Sequence, residues 1–145
     1  EALAASKQSA SGRLGMIENL LNTAFRFIGV PYRSGQSGPH GFDCSGFTSY
    51  VYRQHNLTLT RSSRSQYTEG APVAGIADMR KGDLVFFGGR GGGSRVGHVG
   101  IVTEVNSANG SFKFIHASTS SGVRVDNSTD PYFSSRYVGA RRIIQ

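Results

Sequence analysis

The sequence predicts an α+β protein in which N-terminal helices pack on an antiparallel sheet of about five strands. Two observations support this fold class. Apolar residues in the first part of the chain recur at spacings of three and four, which is typical of helices. The second part consists of short runs of β-branched and aromatic residues separated by Gly, Ser and Asn, which is typical of strands. With 145 residues the chain is long enough for a single domain with its own core.

Three helices are predicted before the strands begin. The first has an apolar face formed by Leu14, Ile17, Leu21, Ala24 and Ile28. The glycine and proline of "GVPY" end it, and the polar loop "YRSGQSGPHG" follows. Helical spacing resumes at Phe47 and Val51, which places Cys44 at or just before the first turn of the second helix. A short third helix is predicted ahead of Gly70.

The first residues are predicted to lie outside this domain. Residues 1–13 are mostly small and polar, so we expect a flexible N-terminal lead-in followed by a domain over residues 14–145. The chain starts with "EALAASKQSASG" and has no initial methionine. Such a start is compatible with the removal of an export signal.

Five strands are predicted in the second part of the chain. They correspond to the segments "GDLVFFGG", "VGHVGIVTEV", "SFKFIHAS", "GVRVD" and "YVGARRII". The glycine-rich tract "GGRGGGS", residues 88–94, connects the first two of them. Because it lacks the Gly-Lys-Ser/Thr ending of a phosphate-binding loop, we interpret it as a mobile hairpin loop.

The composition excludes several classes of protein. Hydrophobic residues make up 37% of the chain and charged residues 17%, as in globular rather than disordered proteins. No apolar run approaches the roughly 20 residues that a membrane-spanning helix requires. The formal charge is +7, but basic residues adjoin only at Arg80–Lys81 and Arg141–Arg142. We therefore expect no nucleic-acid binding and leave a polyanionic partner open.

Cys44 is the only cysteine, so it cannot form an internal disulfide. A buried inert residue, an intermolecular bridge and a reactive thiol are the remaining roles. The start of a helix supplies partial positive charge and free N–H groups, which favour a thiolate and can hold an oxyanion. The position of Cys44 ahead of a helical run therefore indicates a candidate nucleophile.

A cysteine nucleophile needs a base, and the base needs an orienting partner. Of the four histidines, His98 lies in a predicted strand and shares its face with the small Gly100. His116 ends the next predicted strand, so the two rings converge if these strands are neighbours. His40 lies in a loop and His55 at a helix end, where surface roles are expected.

Zinc is the alternative use of the same three side chains. Zinc accepts one cysteine and two histidines, but structural zinc sites usually place two ligands within a few residues of each other. Cys44, His98 and His116 are far apart in the sequence. We therefore expect no metal site and no cofactor.

Four sequence blocks resemble those of the NlpC/P60 cysteine peptidases of bacterial cell walls. They are "DCSGF" around Cys44, "GDLVFF" at residues 82–87, "VGHVGIV" around His98 and "FIHAST" around His116, in the same order and spacing. The upstream "GVPYRSG" resembles the entry to the active site in that family. "HASTSSGV" and "PYFSSRYVGARRII" are most similar to the Spr-type lipoprotein murein endopeptidases.

This resemblance implies a papain-like fold and a peptidoglycan endopeptidase. It assigns the nucleophile to Cys44, the general base to His98, and the orientation and polarisation of His98 to His116. The implied bond is the D-alanine–diaminopimelate cross-link or the γ-D-glutamyl–diaminopimelate bond of stem peptides. The implied substrate-binding residues are Tyr32, Asp43 and Ser45.

The resemblance also implies a location and a set of partners. We expect a monomer exported to the bacterial envelope, as a periplasmic protein or an outer-membrane lipoprotein whose lipid anchor is absent from this chain. Peptidoglycan stem peptides are the expected partner. A peptidoglycan amidase, an acyltransferase and a non-enzymatic wall-binding module are the alternatives.

Overall fold

The computed structural model describes residues 2–89 and 95–145, and describes side chains from residue 12 on. The helices are α1 (Ala2–Phe25), α2 (Cys44–Arg53), α3 (Ser63–Gln66) and α4 (Pro131–Ser134). The strands are β1 (Ala71–Val73), β2 (Leu84–Gly88), β3 (Val96–Asn106), β4 (Ser111–Ser118), β5 (Gly122–Asn127) and β6 (Tyr137–Arg142). Within these ranges, none of the helices is long and apolar enough to cross a bilayer. The predicted glycine-rich loop falls largely on residues 90–94, outside the described residues.

The six strands form one sheet in the order β1-β6-β2-β3-β4-β5, and every neighbouring pair is antiparallel. The predicted α+β class is therefore confirmed, and the five predicted strands are β2 to β6. The sequence did not predict β1, which has three residues and lies at the edge of the sheet. Its Pro72 has no N–H to donate, which suits an edge position.

The central strand β2 is buried on both faces of the sheet. Leu84 and Phe86 belong to the apolar cluster that α1 and α2 cover, whereas Val85 and Phe87 belong to a second cluster. Because successive strand residues point to opposite faces, the run "LVFF" contributes two side chains to the apolar cluster on each face of the sheet. The sheet thus separates two apolar clusters.

The first helix differs from its prediction at both ends. It extends N-terminally past Leu14, so much of the lead-in expected at residues 1–13 is helical, and it stops before Ile28. Leu21 and Ala24 are buried in the core, as the spacing predicts, while Leu14 and Ile28 are exposed. Only the middle of the predicted apolar face is therefore buried in the core.

The second helix holds the candidate nucleophile against the sheet. Its buried side chains include Phe47, Val51 and Tyr52, which belong to the apolar cluster shared with the strands. The Tyr52 hydroxyl donates a hydrogen bond to the Gly82 carbonyl. These contacts fix the helix and place Cys44, its first residue, beside β3.

Candidate active site

Cys44 is the first residue of α2, as the sequence predicts. The side chain of Asp43 caps the helix and accepts hydrogen bonds from the N–H of Gly46 at 2.6 Å and from that of Gly35 at 3.1 Å. Asp is a preferred residue at this position because its carboxylate satisfies N–H groups that have no partner within the helix. The thiol is partly exposed, as a nucleophile requires.

The sulfur of Cys44 faces the backbone of β3. Its Sγ lies 4.0 Å from the carbonyl oxygen of Gly97, and the backbone N–H groups of Ser45 and Val99 act to lower the pKa of the thiol. Gly97 and Val99 are the residues on either side of His98. The strand segment that carries the candidate base therefore lies directly against the candidate nucleophile.

The pKa of the Cys44 thiol is raised above its ordinary value. Burial is the largest cause, and the negative charge of Asp43 adds to it. The N–H groups of Ser45 and Val99 act in the opposite direction but do not outweigh burial. The helix start does favour the thiolate, as expected, but in the free protein burial and the charge of Asp43 outweigh its effect, so the net shift of the thiol pKa is upward.

The two histidines predicted to converge are in direct contact. Nε2 of His98 lies 2.7 Å from Nδ1 of His116, and the rings are nearly perpendicular at 85°. Gly100 makes this approach possible. A Cβ at that position would lie 3.1 Å from Cβ of His116 and 2.9 Å from a ring carbon of Phe114.

His116 is 1% exposed, and its second ring nitrogen also has a partner. Its Nε2 lies 2.7 Å from Oδ2 of Asp126, whose Oδ1 lies 3.1 Å from the guanidinium of Arg124. Aromatic rings of Phe114 and Phe133 enclose the imidazole. Sequence reasoning missed Asp126 and Arg124. The sequence does show that Arg124 and Asp126 lie on the same face of the predicted strand "GVRVD". That signal points to His116 only once β5 is known to pair with β4.

Both imidazoles are neutral at neutral pH. Burial lowers the pKa of His98 far below its ordinary range, and the charge of a protonated His116 would lower it further. Burial also lowers the pKa of His116, although the hydrogen bond and charge of Asp126 partly offset this. The resting site therefore combines a neutral thiol with a neutral base.

The predicted substrate-binding residues lie together beside the sulfur. Burial and the nearby Cys44 and Asp43 raise the pKa of the Tyr32 hydroxyl. Arg61, which the sequence did not single out, joins the group through two hydrogen bonds to Asp43, at 2.8 and 3.0 Å. It also donates to Oγ of Ser45 at 2.8 Å. No sequence pattern links Arg61 to Asp43, because only the tertiary fold brings them together.

A cavity of about 500 Å³ adjoins the histidine pair. The side chains that give it a polar wall include His98, His116, Ser118, Arg124, Asp126 and Tyr132. Hydroxyl, carboxylate and guanidinium groups together suit a polar ligand that carries charges of both signs.

The other two histidines lie apart from this site. Nε2 of His55 is 2.7 Å from the hydroxyl of Thr23 on α1, and His40 is exposed. In the described part of the chain, no three His, Cys, Asp or Glu side chains are arranged to hold a metal ion.

Comparison with known proteins assigns the chain to a family. The sequence model of the NlpC/P60 family matches residues 29–142. The chain belongs to the NlpC/P60 family. It is 43% identical over 117 residues to the murein DD-endopeptidase MepS/murein LD-carboxypeptidase of Escherichia coli K12, and the match covers 80% of this chain and 57% of that protein.

Two further proteins also match most of this chain but are themselves much longer. The γ-D-glutamyl-L-lysine dipeptidyl-peptidase of Bacillus cereus is 34% identical over 128 residues, which cover 88% of this chain and 36% of that protein. A crystal structure of an NlpC/P60 family protein from Bacillus cereus superposes with a TM-score of 0.78 at 32% identity, covering 89% of this chain and 40% of the other. The chain thus spans 57% or less of these relatives. The predicted family and papain-like fold are confirmed.

Proposed function

We propose that this domain is a cysteine peptidase that hydrolyses an amide bond in the stem peptides or cross-links of peptidoglycan. The main support is the convergence of three side chains from separate elements. Cys44 lies at the start of α2 against the backbone that flanks His98, and His98 is hydrogen-bonded to His116. The relatives named as a murein endopeptidase and a γ-D-glutamyl peptidase support the substrate class.

The first step follows from the resting state of the site. Nε2 of His98 is hydrogen-bonded to His116, so Nδ1 of His98 is the ring nitrogen available to accept the thiol proton. Proton transfer accompanies attack of the Cys44 sulfur on the scissile carbonyl carbon, whose oxygen becomes an oxyanion. N–H groups at the start of α2 would hold this oxyanion, and one such donor typically contributes about 3 kcal/mol.

The second step reverses the proton transfer. The His98 imidazolium donates its proton to the leaving amine as the C–N bond breaks, which leaves a thioester on Cys44. His98 then removes a proton from water, and the resulting hydroxide attacks the thioester. Release of the carboxylic acid returns the proton to the sulfur and restores the neutral pair.

Substrate binding would use two polar regions of the site. Tyr32, Asp43 and Ser45, together with Arg61, form a polar group beside the sulfur, and the cavity with Arg124 is lined by His98 and His116. Stem peptides carry several carboxylates, which the net charge of +7 would attract. We infer that the D-alanine–diaminopimelate cross-link is cut and that the protein acts in the cell envelope, by similarity to the murein endopeptidase relative.

Digestion of purified cross-linked muropeptides, followed by mass spectrometry, tests this function. We expect Cys44→Ala and His98→Gln to lose hydrolysis, because they remove the nucleophile and the base. His55→Gln is the matched histidine control and should retain the wild-type rate, since His55 contacts Thr23 rather than the site. Undiminished hydrolysis by Cys44→Ala would disprove the proposal.

The masses of the products identify the bond. Cleavage of the cross-link converts dimers to monomers, whereas cleavage after γ-D-glutamate releases the distal part of the stem peptide. Glycan strands free of peptide would indicate an amidase instead. Intact substrate with the wild-type protein would contradict the proposed hydrolysis and leave the acyltransferase and wall-binding alternatives.

A further inference from the structure

We propose that Asp126 is a positioning residue that sets which ring nitrogens of His116 and His98 carry protons. In this role the carboxylate acts through His116 and keeps Nδ1 of His98 free to accept the thiol proton. The inference rests on the proposed function, because it assigns a role within the same hydrolytic site.

The carboxylate of Asp126 fixes the proton on His116. An ionised carboxylate only accepts hydrogen bonds, so the 2.7 Å contact between Oδ2 of Asp126 and Nε2 of His116 requires a proton on that nitrogen. A neutral imidazole carries one N–H and one lone pair. Nδ1 of His116 must therefore be an acceptor.

The lone pair on Nδ1 of His116 in turn fixes the proton on His98. Nδ1 of His116 lies 2.7 Å from Nε2 of His98, so Nε2 of His98 is the donor of that hydrogen bond. Neutral His98 then has its lone pair on Nδ1. This is the tautomer that a general base for Cys44 requires, since the other ring nitrogen already has a partner.

The surroundings of Asp126 hold it in this role. Its side chain is 14% exposed, and Arg124 binds the oxygen that does not contact His116. The charged groups that contact His116 are Asp126 from β5 and, when protonated, His98 from β3, while Arg124 lowers its pKa from a greater distance. Two residues near α4, Asp130 and Tyr132, line the adjoining cavity.

Replacing this carboxylate by an amide removes the constraint. The NH₂ group of an asparagine at this position can donate to Nε2 of His116, which then carries its proton on Nδ1. His116 would donate to Nε2 of His98, and the proton of His98 would move to Nδ1. In that arrangement His98 cannot accept a proton from the thiol, although every ring stays in place.

The experiment compares wild-type protein with Asp126→Asn, Asp126→Ala and the control Glu104→Gln. Glu104 is a carboxylate in the same sheet that pairs with Lys113 on the surface. Hydrolysis of a cross-linked muropeptide gives kcat and KM, and NMR of the imidazole nitrogens reports the tautomer of each histidine. We expect kcat of Asp126→Asn to fall about 10- to 100-fold, with KM changed by less than about twofold. General-base catalysis typically accelerates a reaction about 10²- to 10⁴-fold, and part of this acceleration is lost when the proton of His98 lies on the wrong nitrogen.

The NMR measurement separates this role from a structural one. We expect the Nε2-H tautomer of both rings in wild type and in Glu104→Gln, and a shift towards Nδ1-H in the two Asp126 variants. If Asp126→Ala does not fold, the isosteric Asp126→Asn decides. Wild-type kcat in Asp126→Asn, or lost activity with unchanged tautomers, would overturn the inference while leaving the proposed function intact. A wild-type protein that does not cleave the muropeptide would refute the proposed function. The NMR measurement of the histidine tautomers would still test whether Asp126 sets them.

Discussion

The side chain of Cys44 experiences opposing influences within a few ångströms. Backbone N–H groups of Ser45 and Val99 favour its anion, whereas burial and the charge of Asp43 favour the neutral thiol and dominate. The carboxylate that starts α2 thus reduces the effect of the helix dipole on the sulfur. In the proposed mechanism, a neutral thiol beside a neutral imidazole would transfer its proton during attack, without a preformed ion pair.

This resting state predicts the pH dependence of alkylation of the free protein. We expect the rate of Cys44 modification by iodoacetamide to rise through and beyond about pH 8.5, the ordinary thiol pKa, because the thiolate is the reactive form. The variant Asp43→Asn retains a good helix cap but removes the charge, so its profile should shift to lower pH. A wild-type rate that levels off between pH 6 and 7 would instead indicate a preformed thiolate–imidazolium pair.

Arg61 shows how a residue can belong to a site without any local signal. It lies in a loop of serines, yet its guanidinium binds Asp43 at two oxygens and also reaches Ser45. Asp43 and Ser45 flank the nucleophile in the sequence, so the motif "DCS" predicted them. Arg61 depends on how that loop folds back over α2, which spacing does not reveal.

At the scale of elements, the site depends on the close approach of β3 and β4. These strands pair antiparallel, and Gly100 on β3 leaves space for His116 on β4. The sequence identified a small neighbour of His98 and a histidine on the next strand. The pairing itself produced the contact between the two rings.

The variant Gly100→Ala tests this contact. The added Cβ would lie 2.9 Å from the Phe114 ring and 3.1 Å from Cβ of His116, so we expect a loss of about 1–3 kcal/mol in the free energy of unfolding from overpacking. Muropeptide hydrolysis should fall as well, because His116 is displaced from His98. Urea unfolding and the hydrolysis assay measure both effects. Gly75→Ala is the matched control, since no atom outside its chain neighbours lies within 4 Å of its added Cβ; equal stability of the two variants would contradict the prediction.

At the scale of the whole molecule, the histidine pair links the active site to stability. The folded protein holds His98 and His116 in neutral form, because the pKa values of both rings are lowered. The unfolded chain takes up protons on both rings below about pH 6.5, whereas the folded protein does so only at lower pH. The stability from this pair is complete above that pH and is lost as the pH falls towards the lowered pKa values.

Urea unfolding between pH 7.5 and pH 5 measures this linkage. We expect the free energy of unfolding of the wild-type protein to decrease over this range. The double variant His98→Gln/His116→Gln should show a shallower decrease, because its glutamines do not titrate. Equal slopes for the two proteins would show that the pair is not the source of the pH dependence.

The sequence by itself predicted five of the six strands, the first three helices and the proposed residues of the site, but not β1 or α4. The helix start at Cys44, the alternating strands that carry His98 and His116, and the family motifs depend on residues close together in the chain. Only the tertiary structure decided the contacts of Arg61 and Asp126, the edge strand β1 and the direction of the thiol pKa shift. Those features depend on strand register, loop path and burial, which arise from contacts between residues that are distant in the sequence.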